Sequence, residues 1–190
     1  MKNYAKITSM KKSSGFTLIE LIVTVSIAAI LMSIAVPSFK TMIDSNRLST
    51  GTNELVSAFI LARSEALKRS QTVTVCTSTN STTCASAGNN DFGQGWIVFV
   101  DCGTEGVKDA SSDCNGDGDS TDVGIDDDPI INAHSGLKDL TIVSNSATPE
   151  HYLTYSFSGR PSGTVTLRVT QNGSVQKRIV IGRSGRIRTQ

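Results

Sequence analysis

From His151 to Gln190 the chain carries no aspartate or glutamate. Over the same stretch stand Arg160, Arg168, Lys177, Arg178, Arg183, Arg186 and Arg188, cations without a local counterion. Acids are also missing from Met1 to Gly15, which holds Lys2, Lys6, Lys11 and Lys12. The formal net charge of +1 therefore hides a segregation, because from Asp101 to Asp128 ten acids face the single cation Lys108. This predicts an acidic loop and a basic C-terminal surface, not an evenly mixed shell. Catalytic equipment is scarce too. His134 and His151 have no nucleophile motif near them, zinc-ligand spacing is absent and the serines lie in turn-like sequence, so no enzyme is expected. No internal repeat appears, and 190 residues suit one domain with an appendage.

A C-x-x-C pair is lacking as well, which argues against a redox or zinc motif for Cys76, Cys84, Cys102 and Cys114. In an oxidising compartment four cysteines allow three connectivities. Cys76 with Cys84 and Cys102 with Cys114 is the favoured pairing, since each closes a short polar loop; four reduced, buried thiols fit poorly with the polar sequence around Cys84 and Cys114.

Long apolar runs are absent except for one. After "KKSSG", Phe16 to Val36 contains the single charge Glu20, and a helix of that length spans about 30 Å, the hydrocarbon thickness of a bilayer. The lysines preceding it hold the leader on the cytoplasmic side, so residues beyond Pro37 lie outside the cytoplasm, in agreement with the disulfide reading. Ser33 and Ala35 offer a signal-peptide cleavage site, but the run is too long for an ordinary signal peptide and carries an acid near its start. That acid is costly, about 2.5–3.5 kcal/mol inside an apolar span.

The stretch "GFTLIEL", Gly15 to Leu21, resembles the class III signal of type IV prepilins. The resemblance implies that a prepilin peptidase cuts after Gly15 and N-methylates Phe16. It also implies that the apolar helix stays in the mature protein and that Glu20 meets the terminal amine of a neighbouring subunit during assembly. A charge that finds its partner only at the growing end of a filament specifies where the next subunit docks. Pro37 lies where pilins commonly carry a helix-kinking proline.

Beyond Pro37, Leu48, Leu55, Phe59, Ala62 and Ala66 recur on one helical face, predicting one helix from about residue 16 to 69. Strand-like runs follow at 72–78, 95–101, 128–133, 140–145, 152–158, 164–170 and 175–182, the last two joined by a tight turn at Asn172-Gly173. The expected fold is α+β and pilin-like, a long N-terminal helix packed on antiparallel sheet. Its divisions are a leader (1–15), a transmembrane helix (16–36), a continuation of the helix (37–70) and a periplasmic β-rich domain (71–190). That domain includes the acidic loop 101–128 and the basic tail 183–190.

"GWIVFVD", an acidic loop and "DPII", then "YSFSGRPSGTVTLRV" and "IVIGRSGRIRTQ", resemble the FimT/GspH group of minor pilins and pseudopilins. The resemblance implies other pilins or pseudopilins as partners through the N-terminal helix, and residence in the inner membrane and then in a pilus or pseudopilus. FimT-type pilins of transformable bacteria carry a Gly-Arg-x-Arg tail implicated in DNA binding, matched here by Gly185, Arg186, Ile187 and Arg188. Guanidinium forks suit phosphate oxygens, and Arg160, Lys177, Arg178 and Arg183 extend the patch, so double-stranded DNA is an expected partner. No aromatic lies in the tail, which predicts neither base stacking nor sequence reading. Two other readings stand beside this one: a solvated terminal strand, or arginines that meet acids of adjacent subunits. A GspH-like pseudopilin of a type II secretion system, or a priming subunit without a ligand, shares the N-terminal features.

The loop also invites a calcium test. Asp113, Asn115, Asp117 and Gly118 occupy the first positions of an EF-hand-like loop, but Gly124 stands where the closing acid belongs, leaving Asp119, Asp122 or Asp126 as substitutes. No other cofactor is expected.

Overall fold

The computed structural model describes residues 15–109, 113–114, 128–145 and 151–190. The leader ahead of Gly15, and Asn115, Asp117 and Asp119 of the calcium reading, lie outside the described residues. The chain forms two compact units, Met1–Asp44 and Ser45–Gln190. A single helix, α1 (Leu18–Arg69), runs through their boundary.

Thr17 caps this helix: its Oγ1 accepts the backbone N–H of Glu20 at 3.3 Å. Thr17 and Glu20 thus have the spacing of a capping box, with the carboxylate at the positive end of the helix dipole. Glu20 lies in the first helical turn, so its position is less costly than one deep in an apolar span. In the first unit Phe16, Leu18, Ile30 and Leu31 are all more than half exposed. By length and composition α1 is apolar enough to cross a membrane.

In the second unit Leu48, Leu55, Phe59, Ala62 and Ala66 are buried as the helical stripe requires. α1 ends with Lys68 and Arg69 at the negative end of its dipole and Ser70 at φ 54°. The strands that follow make two antiparallel sheets. β1 (Val73–Thr77), β2 (Gly95–Val100), β3 (Ile130–Ser135) and β5 (Tyr152–Tyr155) pair in the order β3-β2-β1-β5. β4 (Leu140–Ser144), β6 (Val165–Gln171), β7 (Ser174–Ile181) and β8 (Ile187–Thr189) pair as β4-β6-β7-β8. β1 and β2 are buried along their whole length. Their two faces serve two clusters: Val75, Trp96 and Val98 join the main core with α1, while Cys76, Ile97 and Phe99 pack with Cys84 and Tyr152. Both disulfides form as the loop lengths suggested, Cys76–Cys84 and Cys102–Cys114.

Candidate nucleic-acid interface on the C-terminal sheet

β6 alternates strictly. Val165, Leu167 and Val169 are buried, while Thr166, Arg168 and Thr170 sit half-buried on the opposite face. The turn at Asn172-Gly173 returns the chain into β7, pairing Gln171 with Ser174 and Thr170 with Val175. A regular two-residue hairpin would next pair Val169 with Gln176 and Arg168 with Lys177. Instead the register shifts, and Val169 pairs with Lys177 and Arg168 with Arg178. Gln176 is therefore the extra residue of a β-bulge. Because side chains alternate with period 2, this one residue decides which cation faces which way. Lys177 turns to the helix side, where its Nζ donates to Ser49 Oγ at 3.1 Å. Arg178 turns outward and is exposed.

β8 continues the arrangement at the sheet edge. Val180 pairs with Arg188 and Ile181 with Ile187, so Ile187 packs on the core and Arg188 shares the outer face of Val180. Arg168 stands directly across from Arg178, and Arg188 is diagonal to Arg178 on the next strand. Side chains so placed approach within about 5 Å and about 7–8 Å respectively, and like charges directly opposite destabilise a sheet. Among the described residues, no ion pair joins Arg168, Arg178, Arg183, Arg186 or Arg188 to a carboxylate.

The turn before β8 is clamped from two sides. Gly185 has φ +75°, and a Cβ there would sit 2.9 Å from the Gly159 carbonyl oxygen and 3.0 Å from Arg63 Nε and Cζ. Arg63 Nη1, on α1, donates to the Gly185 carbonyl at 3.1 Å. The backbone N–H of Gly185 donates to Gly182 at 2.8 Å. That donor is therefore used inside the turn and does not serve a phosphate. Arg160 is exposed and lines a cleft of about 290 Å³ with Thr72, Glu105, Thr154, Ser156, Pro161 and Ser162. Arg183 and Arg186 are exposed within the turn region. Arg168 was counted among the cations but not assigned to the site. The Asn172-Gly173 turn pointed to the hairpin that holds it, whereas the bulge that sets Arg178 against it left no mark in the sequence.

At the base of the acidic loop, the Asp128 carboxylate accepts the backbone N–H groups of Cys102 at 3.0 Å and Asp109 at 2.8 Å. Asp128 lies with Cys102 and Cys114 within 4.8 Å, but both sulfurs are committed to their disulfide and are not thiolate ligands. Asp101 Oδ2 accepts Thr74 Oγ1 at 2.6 Å and Gly106 N at 2.8 Å. Burial raises the Asp101 carboxyl above its ordinary value despite these two hydrogen bonds. Asp113, the described member of the calcium reading, is outside this cluster.

With this geometry in place, residues 51–185 match the family described as type II transport protein GspH. The chain belongs to the GspH family. Residues 10–36 match the prokaryotic N-terminal methylation motif, which covers Gly15, Phe16 and Glu20. Among solved structures, the type IV minor pilin FimU of Pseudomonas aeruginosa has a TM-score of 0.55 at 19% identity, covering 76% of this chain and 89% of FimU. A second crystal form of FimU gives 0.52 at 18% identity, covering 75% and 91%. The minor pseudopilin EpsH of Vibrio cholerae gives 0.46 at 12% identity, covering 75% and 94%. No curated protein sequence matches. The GspH-family chain thus carries a prepilin-type methylation motif and has the FimU fold, a long helix packed on antiparallel sheet.

Proposed function

We propose that this GspH-family protein is a minor type IV pilin that captures double-stranded DNA on the outer face of its C-terminal sheet during natural transformation. Prepilin peptidase cuts after Gly15 and N-methylates Phe16, the helix anchors the subunit in the inner membrane, and Glu20 guides its assembly with other pilins near the pilus tip. The observation that carries the DNA reading is Arg168 placed directly across from Arg178, with Arg188 diagonal. Folding alone disfavours that placement, whereas a polyphosphate backbone rewards it. Arg183 and Arg186 widen the footprint.

The test is fluorescence anisotropy of labelled duplex with the full chain in detergent micelles, over a salt series. The expected log–log salt slope is about −0.9 per phosphate contacted, becoming shallower by about 1.8 in Arg178→Ala/Arg188→Ala. Wild-type protein that fails to bind at low salt overturns the proposal. The match to the type II transport family favours a second reading, a pseudopilin of a secretion system, in which the same arginines meet acids of neighbouring subunits.

A further inference from the structure

The second unit contains seven aromatic residues, Phe59, Phe92, Trp96, Phe99, Tyr152, Tyr155 and Phe157. Of these only Phe157 is exposed, at 66%. It occupies a corner of a tight turn in which Gly159 N donates to Ser156 O at 2.8 Å and Ser156 N to the Arg160 carbonyl at 2.9 Å. Hydroxyl contacts fasten the same turn: Ser156 Oγ lies 2.9 Å from Ser158 Oγ and donates to Arg160 O at 3.2 Å. The ring therefore stands on a fixed support, and contact with its face requires little ordering of the backbone.

Position makes the exposure informative. The Gly159 carbonyl oxygen lies 2.9 Å from where a Cβ on Gly185 would sit, so the Phe157 turn abuts the turn that carries Arg186. Two peptide units, at most about 7 Å of chain, separate Phe157 from that contact. Folding thus sets the turn that carries an exposed aromatic ring against the turn of a basic tail that has none in its own sequence. An aromatic face next to phosphate-binding cations is the arrangement that holds unpaired bases, because the ring replaces a stacking neighbour while the cations follow the backbone. Inside a duplex both faces of each base are already covered.

We infer that Phe157 is a base-stacking platform, and that with Arg186 of the adjoining turn it takes single-stranded DNA in preference to duplex. This rests on the DNA reading above and adds, beside the duplex contacts of the sheet face, a site for an unpaired strand or a frayed end. The alternatives for an exposed phenylalanine are solvent alone or the cover of a neighbouring filament subunit. The experiment separates these cases.

The full chain in detergent micelles is titrated against a labelled single-stranded oligonucleotide and against the same sequence as a duplex. Wild type is expected to favour the single strand, and Phe157→Ala to weaken single-strand binding by about fivefold to hundredfold, the range for removing a stacking aromatic. Duplex binding should stay within about twofold, since the phosphate contacts remain. Phe157→Trp should retain the preference and show indole quenching on adding the single strand; buried Trp96 supplies the background measured in wild type. Equal affinity for both forms with no effect of Phe157→Ala overturns the inference and leaves the ring to a neighbouring subunit. An equal loss for both forms also overturns it, by making the ring a support for the turn. If wild type binds neither form, the DNA reading itself has failed, an outcome distinct from binding without preference.

Discussion

Replacing Gly185 with alanine tests whether the glycine of the Gly-Arg-x-Arg tail is there for the fold. Its φ of +75° costs an L-residue about 1–2 kcal/mol. The added methyl would also press on the Gly159 carbonyl oxygen at 2.9 Å and on the Arg63 guanidinium at 3.0 Å. Forcing a methyl into packed surroundings adds about 1–3 kcal/mol, for a total of about 2–5 kcal/mol. Gly173 provides the control, with nearly the same φ, +78°, and nothing within 4 Å of an added Cβ. Gly173→Ala should therefore cost only the conformational part, about 1–2 kcal/mol. Urea unfolding of residues 45–190 gives both values, because every core residue from Leu48 to Ile181 lies in that unit. Equal losses at the two glycines would refute the clamped turn. Arg63→Ala in the Gly185→Ala background should relieve part of the crowding, giving a coupling of about 0.5–3 kcal/mol in a double-mutant cycle.

Three further predictions concern the other half of the domain. Burial raises the folded-state pKa of Asp101, so native protein holds this proton to higher pH than unfolded chain does, and the group's favourable contribution at low pH is lost as pH rises through the folded value. Asp101→Asn, followed by urea unfolding from about pH 3 upward, should gain stability relative to wild type as pH rises beyond the ordinary aspartate range; a relative loss would refute the burial argument. Removing the Cys102–Cys114 bridge as a double serine variant should cost about 2.8 kcal/mol from its separation of 12 residues. Removing Cys76–Cys84 should cost more than the corresponding chain-entropy value of about 2.5 kcal/mol, because Cys76 is fully buried with Ile97 and Phe99.

Those differences follow from how the sequence encodes each part. The helix was legible because Leu48, Leu55, Phe59, Ala62 and Ala66 repeat at helical spacing, and the disulfides because their loops are short. Both signals are local. The division into two sheets was not legible, since β1 and β2 are covered on both faces and lose the alternation that marks a sheet's inner side. β8 was not among the strand-like runs, although a terminal strand stood as one reading of the tail, because three residues, one of them apolar, carry no periodic signal; pairing with β7 makes them a strand.

The basic face marks where local reading ends. "VQKRIVI" shows three positions on one face by period 2, but it does not show that Gln176 is skipped. Without the bulge, a hairpin started by Asn172-Gly173 would put Lys177 across from Arg168 and turn Arg178 toward the core. With it, Lys177 reaches Ser49 on the helix and three arginines share the outside. The charge composition of the tail is a property of the sequence, whereas its presentation depends on one unpaired residue in β7. Phe157 belongs to the same class of fact. Its turn lies far from the tail in sequence and meets it through the packing of Gly159 against Gly185, where both segments lack a side chain and the backbones can meet.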